Sequence, residues 1–257
     1  MMRRIVAAVL LSALCAAPAT PAPNPKPVHA ALAPEQPFPI SHEGTRGLGI
    51  LGEVWRVPMQ RKEIALTFDD GPYPFYTPLL VHELSRSHVV ATFFIVGRSA
   101  QEFPELVRLI VAGGNELGNH TFNHYKLTNL SAGSITHQIA LDGELLEPYA
   151  GHAIALFRPP HGRYDHRVVA LAHSMGYETI FWNDSPEDTK SISPALEVHR
   201  VIAAATPGGI VLLHNGQYKT VEALPVIIDK LRAQGYTFVT VSRLLEDGGI
   251  ETTQDPQ

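Results

Sequence analysis

Two adjacent carboxylates stand at the end of an apolar run, Ile64-Ala65-Leu66-Thr67-Phe68-Asp69-Asp70-Gly71-Pro72. Neighbouring strand residues point to opposite faces, so both acids enter one pocket only if the strand ends there. Gly71 and Pro72 provide that ending. About fifty residues on, His120-Thr121-Phe122-Asn123-His124 supplies two imidazoles. One carboxylate and two histidines complete a three-ligand metal site, and the other carboxylate is then free to act as a base. Metal-assisted hydrolysis requires that division of labour. The same ligands suit Zn²⁺ with an open position for water, or non-haem Fe(II). Taken singly, Asp69-Asp70 also reads as a helix N-cap or turn, and the histidines as the flanks of a polar turn. Taken together, the three residue types favour the metal site.

These residues need a scaffold that brings distant segments to one place. From about Ile64 onward, strand-like runs alternate with amphipathic stretches. The strand candidates are 64–68, 91–96, 116–119, 155–158, 179–182, 210–214 and 237–241. Helices are expected over 77–87, 101–112, 134–149, 166–175, 194–204 and 221–234, several of them closed by glycine. Repeated βα units imply a parallel sheet buried on both sides, and seven strands suggest a barrel or a nearly closed one. Such a barrel carries its chemistry at the C-terminal ends of its strands. Five polar clusters fall there: Asp69-Asp70, His120 with His124, Arg158-Pro159-Pro160-His161-Gly162, Trp182 through Asp188, and Leu212-Leu213-His214-Asn215-Gly216. His214 is the candidate acid. Arg158, stiffened by two prolines, suits holding an aspartate. Asp188 is placed to orient His214, unless it caps the helix from Pro194. His82, His137, His166, His173 and His199 fall in helical stretches and are expected on the surface.

Composition bounds the setting. Arg3-Arg4, an apolar stretch from Ile5 to Cys15 and then small residues form a signal peptide over 1–19, cut before Thr20. Cys15, the only cysteine, raises a lipid-attachment reading, against which Leu14 in front of it stands. Residues 20–46 read as a Pro/Ala-rich linker, 47–245 as a single domain and 246–257 as a polar tail. The mature chain would carry no cysteine, so neither disulfides nor thiolate metal sites are expected. The formal net charge is −5 with the leader arginines counted, which gives no footprint for nucleic acid or anionic membrane. No membrane span is expected in the mature chain.

Together these clusters resemble the polysaccharide deacetylases of carbohydrate esterase family 4, the NodB-homology domain, over roughly Ile64 to Val241. Thr67-Phe68-Asp69-Asp70-Gly71-Pro72 is similar to the family's first motif. His120-Thr121-x-x-His124 is similar to its second, Arg158-Pro159-Pro160 to its third and Leu212-x-His214 to its fifth. The resemblance implies a distorted (β/α)7-type barrel with a divalent metal, Zn²⁺ foremost and Co²⁺ or another ion as the alternative. It implies that Asp69 is the general base and that Asp70, His120 and His124 hold the metal. Arg158 would hold Asp69, His214 would be the acid, Asp188 would tune it, and Leu212 would meet the acetyl methyl group. Two positions depart from the pattern. His161 stands where the family has Tyr, a residue whose backbone N–H helps bind the oxyanion. The fourth motif, Asp-x-x-Asp-Trp in the family, is Ser185-Pro186-Glu187-Asp188-Thr189 here. Trp182 is the candidate replacement for the missing pocket wall.

The expected activity is hydrolytic removal of N-acetyl groups from an amino-sugar polymer such as peptidoglycan, chitin-type glycan or poly-N-acetylglucosamine. The expected place is outside the cell or in the envelope. The alternatives are an O-acetyl esterase on xylan or another glycan, a metal-retaining glycan-binding protein with little turnover, and an Fe(II) oxygenase. The last gives no role to Asp69 or His214.

Overall fold

The computed structural model describes residues 53–250. The expected signal peptide and linker, and the tail beyond residue 250, lie outside them. Eight strands form one sheet: β1 (Glu53–Val54), β2 (Glu63–Asp69), β3 (Thr92–Ile95), β4 (Glu116–Asn119), β5 (Leu156–Phe157), β6 (Glu178–Ile180), β7 (Gly209–His214) and β8 (Thr237–Phe238). Helices α1 (Tyr76–Arg86), α2 (Gly97–Glu102), α3 (Pro104–Ala112), α4 (Ala132–Ala150), α5 (His166–Ser174), α6 (Pro194–Ala204), α7 (Tyr218–Ala233) and α8 (Val241–Asp247) connect or follow them. Every pairing is parallel, in the order β1-β6-β5-β4-β3-β2-β7, with β8 beside the start of β2. This is the expected distorted (β/α)7-type barrel, curled until its edges meet.

Residue parity builds the two layers. Ile64, Leu66 and Phe68 of β2 face the helices, packing in one cluster with Leu80 and Leu84 of α1 and Leu224 and Ile228 of α7. Ala65, between them, faces inward with Phe94, Leu156, Ile180 and Ile210, where α8 adds Val241, Leu244 and Leu245. Inward crowding is tight at Gly118 of β4: a Cβ there would lie 2.6 Å from the Phe94 ring. The edges close at two levels. Val57 donates to the Gly208 carbonyl at 2.9 Å, and Leu212 of β7 donates to Asp184, just past β6, at 2.8 Å. At φ +73°, Gly208 would bring a Cβ to 1.7 Å from the Val57 oxygen, so only glycine permits this seam.

Three expectations are corrected. The helix over 101–112 is two helices, because Pro104 drives Phe103 to φ −127°, ψ 61° and opens α3 as its first residue. The last strand is two residues long, and Val241 starts α8 behind a Thr240 cap. That helix runs through Asp247, two residues into the expected tail. β1 has no expected counterpart at all.

The seam holds a buried acid. Asp184 is 2 % exposed, and its Oδ2 has no partner among the described residues. Burial pushes its pKa up to about 8, whereas an unfolded aspartate titrates near ~3.9. Between these values the folded chain keeps a proton that the unfolded chain has released. The stabilisation is therefore complete below about pH 4 and is lost as pH rises to about 8. Asp184→Asn is expected to be more stable than the parent at pH 8.5 by about 1–3 kcal/mol, with the margin closing toward pH 4. Thermal melts across that range check this, and parallel curves for the two proteins would contradict it.

Candidate active site

Parity also aims the chemistry. Asp69 continues the inward row of Ala65 and Thr67, Arg158 follows inward Leu156 by two residues, and Trp182 follows Ile180. His120 lies two beyond Gly118, and His214 two beyond Leu212, on the inward row of Ile210. Asp69 and His214 are direct partners on β2 and β7. Asp70 then has to leave the strand alternation to join them. It does so at φ 66°, followed by Gly71 at φ 73°. Thr121, His124, His161 and Glu187 also have φ between 57° and 65°. Left-handed backbone at non-glycine residues costs about 1–3 kcal/mol each and persists where the surroundings enforce it. Here it is concentrated in the loops after β2, β4, β5 and β6. The cap reading of the acid pair does not apply, since Phe75 is the N-cap of α1 and makes no side-chain cap bond.

The structure brings three ligand types together. Asp70 Oδ1 lies 3.1 Å from His124 Nε2 and 3.8 Å from His120 Nε2. One ligand atom from each of the three lies within 4.8 Å of the others. The Nδ1–H of His120 donates to the Arg158 carbonyl at 2.8 Å, which fixes the tautomer and turns the Nε2 lone pair toward the site. Burial outweighs the nearby carboxylates and lowers the His120 pKa to about 4. For Asp70, burial is opposed and outweighed by the bond to His124 and the charges of His120, His124 and His214, giving a pKa of about 2. At neutral pH the set thus holds a neutral imidazole and an ionised carboxylate, the states a cation takes. The donor set fits a divalent ion of the zinc type.

The remaining polar residues form two pairs. Arg158 is wholly buried, and its Nη1 donates to Asp69 Oδ1 at 2.6 Å and to Thr67 Oγ1 at 2.8 Å. Its Nε and Nη2 donate to the carbonyls of Ile180 and Phe181, both at 3.0 Å, and its guanidinium lies 4.0 Å from the Phe94 ring centre. On the other side, His214 Nδ1–H donates to Asp188 Oδ1 at 2.8 Å, and the His214 backbone N–H donates to Asp188 Oδ2 at 2.7 Å. Burial opposes a charge on His214. The Asp188 bond and charge, with Asp69 and Asp70 beyond, outweigh it and raise the pKa to about 9. The cap of α6 is Ser193, so Asp188 is not tied up there.

The other expected residues lie around this centre. The exposed His161 ring meets His124 edge to face at 4.5 Å. Trp182 is half-buried, over Gly162 and 5.6 Å from the Arg158 guanidinium. Leu212 is buried on β7. Thr189, where the family pattern has Trp, is exposed, as are the five helical histidines. Two contributors escaped the sequence reading. Asp142 of α4 is fully buried and accepts the His120 N–H at 2.9 Å, while the Thr121 N–H donates to Asn119 Oδ1 at 3.0 Å, and together they pin the loop that carries the histidines. Thr67 links Arg158 to β7 by donating to the Val211 carbonyl at 2.7 Å.

The polysaccharide deacetylase family model matches residues 56–180. A peptidoglycan-N-acetylglucosamine deacetylase of Bacillus cereus is 41% identical over 197 residues, spanning 74% of this chain and 92% of that protein. A chitooligosaccharide deacetylase of Azorhizobium caulinodans is 30% identical, spanning 74% of this chain and 97% of its own. Among solved structures, a carbohydrate esterase family 4 pseudoenzyme of Bacillus anthracis superposes with a TM-score of 0.72 at 31% identity, covering 76% of this chain and 69% of the other. With the fold, the sequence and the rim of strand ends all in agreement, the chain belongs to the polysaccharide deacetylases of carbohydrate esterase family 4.

Proposed function

We propose that this protein hydrolyses the N-acetyl group of N-acetylglucosamine units in a cell-envelope polymer, peptidoglycan foremost, after export. One observation carries the reading. In two proton-handling pairs, Arg158–Asp69 and Asp188–His214, Asp69 and His214 stand on adjacent strands beside the Asp70, His120 and His124 cluster. The exported location rests on the leader read from the sequence. Among the described residues, no helix is long and apolar enough to cross a membrane.

Asp70, His120 and His124 would hold the divalent ion, Zn²⁺ foremost. Bound there, it would supply Lewis-acid polarisation and lower the pKa of a coordinated water. Asp69 takes the proton of the attacking water. Its Oδ1 is committed to Arg158, and its Oδ2, 3.8 Å from His120 Nε2, faces the reacting atoms. The His161 backbone N–H, presented by the left-handed turn after β5, donates to the oxyanion that develops on the acetamide. His214, kept protonated by Asp188, delivers its Nε2 proton to the departing amine. Leu212 and Trp182 flank the acetyl methyl group. The exposed His161 ring contacts the sugar where the family pattern has an aromatic phenol.

Acetate release on a panel of N-acetylated and O-acetylated glycans tests this. The expected result is release that a chelator abolishes, with one free amine formed per acetate. Acetate without new amines would instead identify an O-acetyl esterase. Bound glycan with no acetate released, at full metal occupancy, would overturn the catalytic reading.

A further inference from the structure

Behind the Asp188–His214 pair lies a carboxyl group that the reaction as described does not use. Glu197, in the first turn of α6, has no exposed surface. Neither of its oxygens has a hydrogen bond of good geometry among the described residues. A buried carboxylate without a partner is costly, so such a group keeps its proton or serves a neighbour. The groups whose charges and dipoles act on it come from three elements: Thr220 and Lys219 of α7, Asp188 of the loop after β6, and His214 at the end of β7. Thr220 is the connection. Its hydroxyl donates to Asp188 Oδ2 at 3.1 Å, which leaves the oxygen's lone pairs for a donor on the other side.

We propose that Glu197 is a positioning residue for the deacetylation: a buried, proton-bearing carboxyl that acts through Thr220 to set how strongly Asp188 holds the proton of His214. As an acid, Glu197 donates to Thr220 Oγ1, Thr220 donates to Asp188, and Asp188 accepts from His214 Nδ1–H. One buried Glu197 oxygen and the Thr220 hydroxyl are then paired, and only the Glu197 carbonyl oxygen is left without a donor among the described residues. Once the Glu197 proton leaves, a second negative charge stands behind Asp188 and strengthens its hold on the imidazolium. Burial, reinforced by the charge of Asp188, raises the pKa of Glu197 to about 7. The added charge therefore appears as the solution becomes alkaline, where His214 would otherwise begin to lose its proton. The row thereby widens the pH range over which the acid is charged.

The inference rests on His214 being the acid, and its test reads His214 itself. The ¹⁵N resonances of the His214 ring are followed against pH in the metal-loaded protein, alongside the alkaline limb of kcat/KM. Glu197→Gln is neutral at every pH, and its His214 midpoint is expected to fall by about one pH unit, with the alkaline limb following. Glu197→Asp keeps the charge and is expected to return the midpoint toward the parent value. The parent should also show an inflection in the His214 titration where the Glu197 carboxyl ¹³C resonance titrates, which tests the coupling even if a variant fails to fold. An unmoved midpoint in Glu197→Gln, or no inflection in the parent, overturns the proposal. A moved midpoint with an unmoved kcat/KM limb keeps the row and overturns the assignment of His214 as the acid.

Discussion

Asp69→Asn is expected to lower kcat by about 10³-fold or more while the metal stays bound. The asparagine Oδ1 can still accept from Arg158 Nη1, the bond measured at 2.6 Å in the parent. What is lost is the capacity to take a proton at the second oxygen. The ligand atoms of Asp70, His120 and His124 remain where they are. Metal content by elemental analysis and acetate release on one preparation separate the two effects. A variant that retains metal and a tenth of the parent turnover would remove Asp69 from the role of base.

Arg158→Met is expected to cost about 3–5 kcal/mol of stability, because it strands Asp69 as a buried acid without its partner. The same change removes the donor to the carbonyls of Ile180 and Phe181, leaves the Thr67 hydroxyl only its bond to Val211, and removes the cation stacked 4.0 Å over Phe94. For a domain of this size the midpoint of thermal unfolding should fall by about 6–20 °C. Arg158→Lys should fall between the two, since an ammonium can reach one cluster of acceptors where the guanidinium reaches three. Calorimetry of the three proteins checks the order. A methionine variant as stable as the parent would show that the ion pair contributes nothing net to the fold.

The residues that meet at the rim were legible because they come in short motifs where apolar runs stop: Asp69-Asp70, His120 with His124, Arg158 before its prolines, and His214. The residues that support them were not, because they sit inside regular elements and look like ordinary pattern. Asp142 occupies the buried stripe of α4 with Ile135, Gln138, Ile139 and Leu146, and Glu197 shares that of α6 with Val198 and Val201. A polar residue at an apolar stripe position is a usable signal, since burial without a partner is costly. Read for such breaks, the periodicity would have singled out both. β1 offered no such handle, as two residues carry no period. The break between α2 and α3 was readable from Pro104. The start of α8 needed the tertiary contact in which the Val241 N–H donates to Thr92 Oγ1 at 2.9 Å.

The inward row that ends in the candidate active-site residues constrains how this sequence tolerates insertions and deletions. Each strand fixes its last side chain by counting in twos from the interior packing residues. Losing one residue within β2 would send Asp69 to the helix side and slide Asp70 into its place, and gaining one would put Phe68 there, changes that leave composition and hydrophobicity nearly the same. Loops beyond the strand ends carry no such count. Length variation there alters what surrounds the reacting centre without rotating it. Diversification of such a protein is therefore channelled: glycan preference can drift through loop length, while a frame slip of a single residue in any of four strands ends the chemistry in one step.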